Sequence, residues 1–209
     1  MKTISYAITA WNEAVELERL LDQLNKYIRP EDEIVLQLDS TATDEVKKVA
    51  EKYNVGSKYE YHRIYATLNN DFASFKNNLN EHCTRDYIFQ IDADEYLSDT
   101  LILNLPELLE LNPKIDIYYV PRINTVEGLT QEHITKWGWR LNEKGWVNYP
   151  DVQGRICKNR KDIKWTGKVH ERLTIDQPCL AQVLPAGFEL IHPKDISRQE
   201  KQNALYDKI

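Results

Sequence analysis

Residues 87–96, YIFQIDADEY, run from a short apolar stretch straight into two aspartates one residue apart, with a glutamate directly after the second. A strand of this composition is buried on both faces, so the carboxylates at its end emerge at a sheet edge, where open α/β folds hold their ligands. Asp92 and Asp94 at that spacing can share one hard cation. Oxygen donors select Mg²⁺ or Mn²⁺, and an ion held by few carboxylates keeps coordination positions for phosphate oxygens. The plainer alternative is a helix cap or a solvated acidic turn. The elements that precede the motif bear on the choice.

Those elements alternate in the manner of a mainly parallel sheet with helices on its faces, an α/β fold. Strands are expected at 3–10, 33–38, 59–65 and 87–91. Between them, residues 13–27 carry Leu17, Leu20, Leu21 and Leu24 on one helical face, and residues 44–53 do the same with Val46, Val49, Ala50 and Tyr53. A third helix is expected over 72–81, with Asn70 or Asp71 as its cap. Asn12 and Glu13 follow the first strand, Asp39 the second, and Asp92 and Asp94 the fourth. All of them fall on the carboxyl edge of one sheet, so separate polar loops converge on a single crevice.

From about residue 98 the pattern loosens. A helix is expected near 101–111 and a strand near 115–120, followed by a Trp-rich stretch of weak periodicity through Gly145. Short strands near 155–158, 163–166 and 181–191 come next, and Ser197 and Glu200 in capping-box spacing announce a final polar helix. No internal repeat, low-complexity segment or linker is evident, and 209 residues suit one domain.

Composition narrows the function classes. With 42% hydrophobic and 29% charged residues the chain is too apolar for disorder, and it has no apolar run long enough to span a membrane. A formal net charge of −6 without a long basic block argues against nucleic acid as partner, though not against a free nucleotide brought with a metal. Cys83, Cys157 and Cys179 lack the spacing of zinc or redox motifs and suit a reducing compartment. MKTISYAITAW reads as a first strand rather than a signal peptide. The expected location is the cytoplasm, including its membrane periphery.

Taken in order, ISYAITAWNEAVELERLLDQL, DEIVLQLDSTATDEV and DFASFKNNLNEHCTRDYIFQIDADE resemble the opening strand, second-strand turn and DxD region of family 2 glycosyltransferases of the GT-A fold. DVQGRICKN, WTGKVHERL and LIHPKDISRQEKQ are similar to a bacterial branch that includes lipopolysaccharide-core transferases. The turn after Asp39 lacks the glycines common in the family, and the QxxRW motif of processive polysaccharide synthases is absent, which argues for transfer of a single sugar. The resemblance implies a Rossmann-like GT-A domain over residues 1–209, with 1–97 binding a nucleotide sugar and 98–209 the acceptor. It implies a metal-dependent, inverting, hexosyl-type transfer from a nucleoside-diphosphate sugar, UDP-linked by preference, to a carbohydrate or glycan acceptor.

Within that frame each residue has a task. Asp39 can accept a hydrogen bond from a base N–H, or simply cap its turn; Thr9, Ala10, Asn12, Glu13 and Ala93 line the nucleotide, although Asn12 and Glu13 also suit a helix start. Lys76 can reach a phosphate or nucleoside oxygen, or lie on the surface. Asp94 is the expected direct metal ligand, Asp92 a ribose or metal-water partner, and His192 resembles the histidine that completes the metal shell, the alternative being a packed strand-end residue. Glu171 in VHERL is the expected base for the acceptor hydroxyl and Asp151 in YPDVQGR the second candidate, Glu171 having a surface ion pair as its alternative role. Trp137, Trp139, Trp146 and Trp165 offer flat platforms for sugar rings, and Arg140 and Arg155 suit phosphate or acceptor contacts. Two further readings use the same residues. One is a silent carbohydrate-binding module with a structural cation; the other is a sugar-nucleotide nucleotidyltransferase, which would want a glycine-rich basic loop where AWNEAVE stands.

Overall fold

The computed structural model describes residues 1–54 and 58–200. Its first half is the expected parallel layer: β1 (Ile4–Ala10) lies between β2 (Glu33–Asp39) and β4 (Tyr87–Asp92), and β3 (Glu60–Ala66) flanks β2, all parallel. Strands β1 and β2 are buried along almost their whole length, which is why they read as continuous apolar runs rather than alternating ones. The period of two still sorts their side chains. Ile4, Tyr6 and Ile8 join the leucines of α1 (Ala14–Tyr27) in one core, while Ala7 and Val35 face α3 (Phe72–Asn80) in the other.

Local chemistry sets the helix ends. The hydroxyl of Thr43 accepts from Val46 N–H to start α2 (Asp44–Lys52), whose first turn is acidic and last turn basic, as the helix dipole favours. Asp71, of the two expected candidates, caps α3 by accepting from Ser74 N–H. Asn69 and Asn70 before it hold positive φ, a conformation asparagine tolerates better than most residues.

The second half departs from expectation in its lengths. After the short β5 (Tyr96–Leu97) and α4 (Asp99–Leu111), β6 runs over Ile117–Glu127 and β7 over Val147–Lys158, the two antiparallel and joined through α5 (Gln131–Trp137). Both strands are therefore much longer than the apolar pieces that mark them in the sequence. Their distal ends project as a half-exposed ribbon, and a ribbon of that kind has no buried face to impose alternation. The expected strand at 181–191 is two: β10 (Ala181–Val183) pairs with the start of β6, and β11 (Leu190–Asp195) with its far end. Pro185 and Gly187 break the run between them, where Gly187 takes a φ of 101° and its carbonyl accepts from Ser98 Oγ.

The hairpin of β8 (Ile163–Thr166) and β9 (Arg172–Ile175) packs beside α3. The sheet order is β3-β2-β1-β4-β7-β6-β11-β5, with β10 also on β6. Residues 196–200 are helical; the cap is Asp195, which accepts from Arg198 N–H and the Ser197 hydroxyl, so Ser197 is not the cap. The rest of that expected helix lies outside the described residues. No described helix is long and apolar enough to cross a membrane.

The α1 leucines anchor the layer behind the site. Leu21→Ala removes a fully buried side chain and is expected to destabilise the fold by about 2–5 kcal/mol, read from the urea midpoint at constant m-value.

Candidate active site

The carboxyl ends of β1, β2 and β4 meet β6 and β11 at one edge. Thr9 lies opposite Asp92 in the β1–β4 ladder, so its hydroxyl donates to Asp92 Oδ1 at 3.2 Å while Ala93 N–H donates to Thr9 C=O. Ala10 and Ala93 are buried small residues lining this floor. Asn12 is exposed; its N–H and that of Trp11 both donate to Glu13 Oε2, folding the first loop back on itself. Asp39, at the end of β2, accepts from Thr41 N–H and hydroxyl through Oδ1 and from Leu68 N–H through Oδ2. Burial would raise its pKa, but these donors hold it below the usual carboxylate value. Trp11 Nε1–H donates to Thr41 Oγ1, joining the first loop to the second.

Asp92 sits in a run of alternating charges. Arg155 Nη2 contacts Asp92 Oδ2 at 2.8 Å and Glu95 Oε1 at 2.7 Å. Glu95, fully buried, also takes Arg122 Nη1 at 3.0 Å, and Arg122 reaches on to Asp151 at 2.6 Å. On the other side Lys76 Nζ lies 3.3 Å from Asp92 Oδ1 and 2.7 Å from Glu171 Oε1. Burial opposes ionisation of Asp92, yet Arg155 and then Lys76 hold its carboxyl well below the ordinary range. Among the described residues Arg155 Nε and Nη1 are buried without a hydrogen-bond partner, while Nη2 holds the two carboxylates.

These contacts place several expected site residues differently. Arg155 lies beneath the site as a counter-ion rather than lining a cleft. Lys76 is buried and points at Asp92 and Glu171. Asp151 is engaged at both oxygens, by Arg122 and Asn124 at Oδ2 and by Gln153 at Oδ1. Glu171 differs: Oε1 is held by Lys76, while Oε2 has no hydrogen-bond partner among the described residues.

Asp94, in the turn after β4, and His192 of β11 come together, with Oδ2 and Nε2 3.1 Å apart. Burial would raise the Asp94 pKa, but the charge and hydrogen bond of His192, with Lys194 nearby, together hold it well below the usual carboxylate range. Asn124 donates through Nδ2 to Asp151, so its Oδ1 faces His192 Nδ1 at 2.8 Å. Both ring nitrogens thus face oxygen acceptors. The ring satisfies them only by carrying two protons, or by having a cation replace the Nε2 proton. Imidazole with carboxylate suits Mn²⁺, and two adjacent ligands about 2.1 Å from an octahedral ion would be about 3 Å apart, so this pair fits a divalent ion. Arg198 closes the mouth, with Nη2 3.2 Å from Glu13 and 3.4 Å from Asp94, and Nη1 2.6 Å from Glu16. A cavity of about 480 Å³ opens beside it, lined among others by Glu16, Thr125, Glu127, Lys194 and Arg198.

Among the described residues one other cluster has metal-ligand chemistry, Glu33, Glu60 and His62. It lies at the opposite edge of the sheet, Glu33 is saturated by Ser5 and Thr84, and Arg85 pairs with Glu60. Its role is structural.

Of the four neighbouring tryptophans, Trp165 is buried in the core behind α3. Trp137 and Trp139 are partly exposed and pack on each other, with His133 stacked on Trp137, and Trp146 meets Tyr149 edge-on. Arg140 is exposed on the same excursion. Sequence reasoning did not single out Glu95, Arg122, Asn124 or Arg198. Glu95 had a signal, as the third acid of DADE; the others depend on strand register.

The family model described as Glycosyl transferase family 2 matches residues 5–168. The solved structure of S. aureus TarS 1-349 superposes with a TM-score of 0.61 at 14% identity, covering 92% of this chain and 60% of that one. The same protein in complex with UDP-GlcNAc gives 0.64 at 16% identity, covering 93% and 59%. The likeness is one of fold, of GT-A type, and the chain spans about three-fifths of the length of those solved chains.

Asp92, Asp94 and Asp151 all have carboxyl pKa values depressed by folding. Their stabilisation is complete above the unfolded aspartate value of about 3.9 and is lost as pH falls through the lower folded values. Urea midpoints of the metal-free protein should be level from about pH 7 to 5 and fall below about pH 4, with a shallower fall in Asp94→Asn.

Proposed function

Because the chain belongs to glycosyl transferase family 2, we propose that this edge binds a nucleoside-diphosphate sugar and transfers the sugar, with inversion, to a hydroxyl of a carbohydrate acceptor. The observation that carries the reading is the juxtaposition of two unlike features. One is a carboxylate–imidazole pair, Asp94 and His192, suited to a divalent ion. The other is Glu171, one oxygen anchored and the other without a hydrogen-bond partner among the described residues, tied to the Asp92 beside that pair through a shared ammonium.

A base and an electrophile are the minimum for a single displacement. Asp94 and His192 would hold Mn²⁺ or Mg²⁺, which when bound supplies Lewis-acid stabilisation to the departing diphosphate. Asp92, its charge shared by Arg155 and Lys76, is positioned by the β4 end for ribose or a coordinated water. Asp39 faces the nucleobase side with its oxygens oriented by Thr41 and Leu68; Thr9, Ala10, Asn12, Glu13 and Ala93 form the walls. Glu171 Oε2 takes the proton of the acceptor hydroxyl as that oxygen bonds to the anomeric carbon and the bond to the nucleotide oxygen breaks. Asp151, the second candidate, has both oxygens engaged by neighbours, Oδ2 by Arg122 and Asn124 and Oδ1 by Gln153, which favours Glu171 for that task. A UDP-linked donor is supported by the TarS complexes, which contain UDP-GlcNAc and UDP. The half from residue 98 onward, with its partly exposed Trp137, Trp139 and Trp146, is assigned to the acceptor.

A panel of nucleotide sugars assayed for hydrolysis and transfer with and without Mn²⁺ tests this. Turnover with at least one donor should require the metal. Asp94→Ala should lose it by about 100-fold or more, and Glu171→Gln should lower kcat by about 10²–10⁴-fold with little change in UDP affinity. Equal calorimetric affinity for UDP with and without Mn²⁺ would overturn the metal assignment. Saccharide binding with no turnover would identify a binding module instead.

A further inference from the structure

Helix α3 holds the hairpin that carries Glu171 at three points. Phe72 N–H donates to Lys168 C=O at 3.0 Å. The Asn77 carboxamide clamps the backbone of Trp165, donating to its C=O at 2.8 Å and accepting from its N–H at 2.9 Å. Lys76 binds the Glu171 carboxylate itself at 2.7 Å, its ammonium lying 4.8 Å from the Trp165 ring centroid. Between the clamp and the glutamate the chain turns tightly, with Gly167 at a φ of 94° and His170 at 56°. A Cβ at Gly167 would meet Val169 O and Glu171 Cα at 3.6 and 3.7 Å, ordinary contact distances, so it is the positive φ of this turn that calls for glycine.

The same ammonium lies 3.3 Å from Asp92 and is only 5% exposed. A phosphate brought to it would have to approach two carboxylates that already share its charge, which Coulomb repulsion disfavours. We propose that Lys76 is a positioning residue rather than a donor ligand: it fixes the Glu171 carboxylate beside Asp92, so that the base stands over the donor end of the site. This rests on the reading of Glu171 as the base. Without the ammonium, Glu171 loses the hydrogen bond that the described residues give it and is left next to the negative charge of Asp92, which repels it from its working place.

The test separates binding from turnover in the full chain. Lys76→Met should lower kcat by about 30- to 100-fold while the calorimetric Kd for UDP with Mn²⁺ stays within about twofold of the parent. Lys76→Arg, which keeps the charge but spreads it over a planar group, should lose only about three- to tenfold. The double variant Lys76→Met with Glu171→Gln should be no slower than Glu171→Gln alone, because two residues acting as a unit are not additive. A UDP affinity weakened tenfold with kcat preserved would make Lys76 a donor ligand and overturn the proposal, as would an unchanged kcat in the Met variant. If Lys76→Met fails to fold by thermal melt, the same kcat and Kd pair measured on Lys76→Arg decides. Full activity in Glu171→Gln would sink the assignment of the base separately, whatever Lys76 does.

Discussion

Carboxylates gathered at one sheet edge repel one another, and the structure is arranged around answering that repulsion. Glu171, Asp92, Glu95 and Asp151 alternate with Lys76, Arg155 and Arg122 in a continuous run of contacts from α3 to the β6–β7 ribbon. Four negative groups and three positive ones leave one negative charge over, and Asp94, Glu13 and Glu16 beside them add three more against the Arg198 guanidinium and the His192 ring. The interleaved cations keep these acids ionised at one edge of the sheet. Removing one partner from a buried pair of this kind costs about 3–5 kcal/mol, because the other charge is then stranded.

The two halves of the chain differ in how legible they are. Strands β1, β2 and β4 are buried on both faces, so Val, Ile, Leu and aromatic runs announce them, and the α1 leucines announce the helix between the first two. Asp92 and Asp39 could be placed because each ends such a strand, and Asp94 because it follows in the turn directly after one. Beyond residue 120, β6 and β7 leave the core, and Arg122, Asn124, Asp151 and Gln153 carry no periodic signal of burial. Their meaning lies in register. Arg122 stands directly opposite Asp151 in the β6–β7 ladder, the cross-strand position where opposite charges pair. Irregularities at Tyr118/Tyr119 and Arg122/Asn124 shift that ladder, and the sequence gives no sign of them. Asp151 therefore resembled a free acid in one dimension and is a bound one in three.

His192 illustrates the intermediate case. Its place at a strand end next to Pro193 was readable, and the partner on its far nitrogen was not. Asn124 reaches it because β11 and β6 are parallel with these two residues in register. One carboxamide thus contacts both His192 and Asp151, and β6 and β11, paired through their backbones, also share a side-chain link at the site.

Arg198 binds Glu16 across 182 positions of sequence and reaches Glu13 and Asp94 from the same group. During vectorial synthesis at about 5–20 residues per second, the early acids leave the ribosome roughly ten to forty seconds before their cation does. For that interval the nascent parallel layer holds its acidic cluster uncompensated by the guanidinium. Maturation of this corner is therefore timed by the emergence of residue 198, and a polypeptide released before it would fold its first layer with that latch missing.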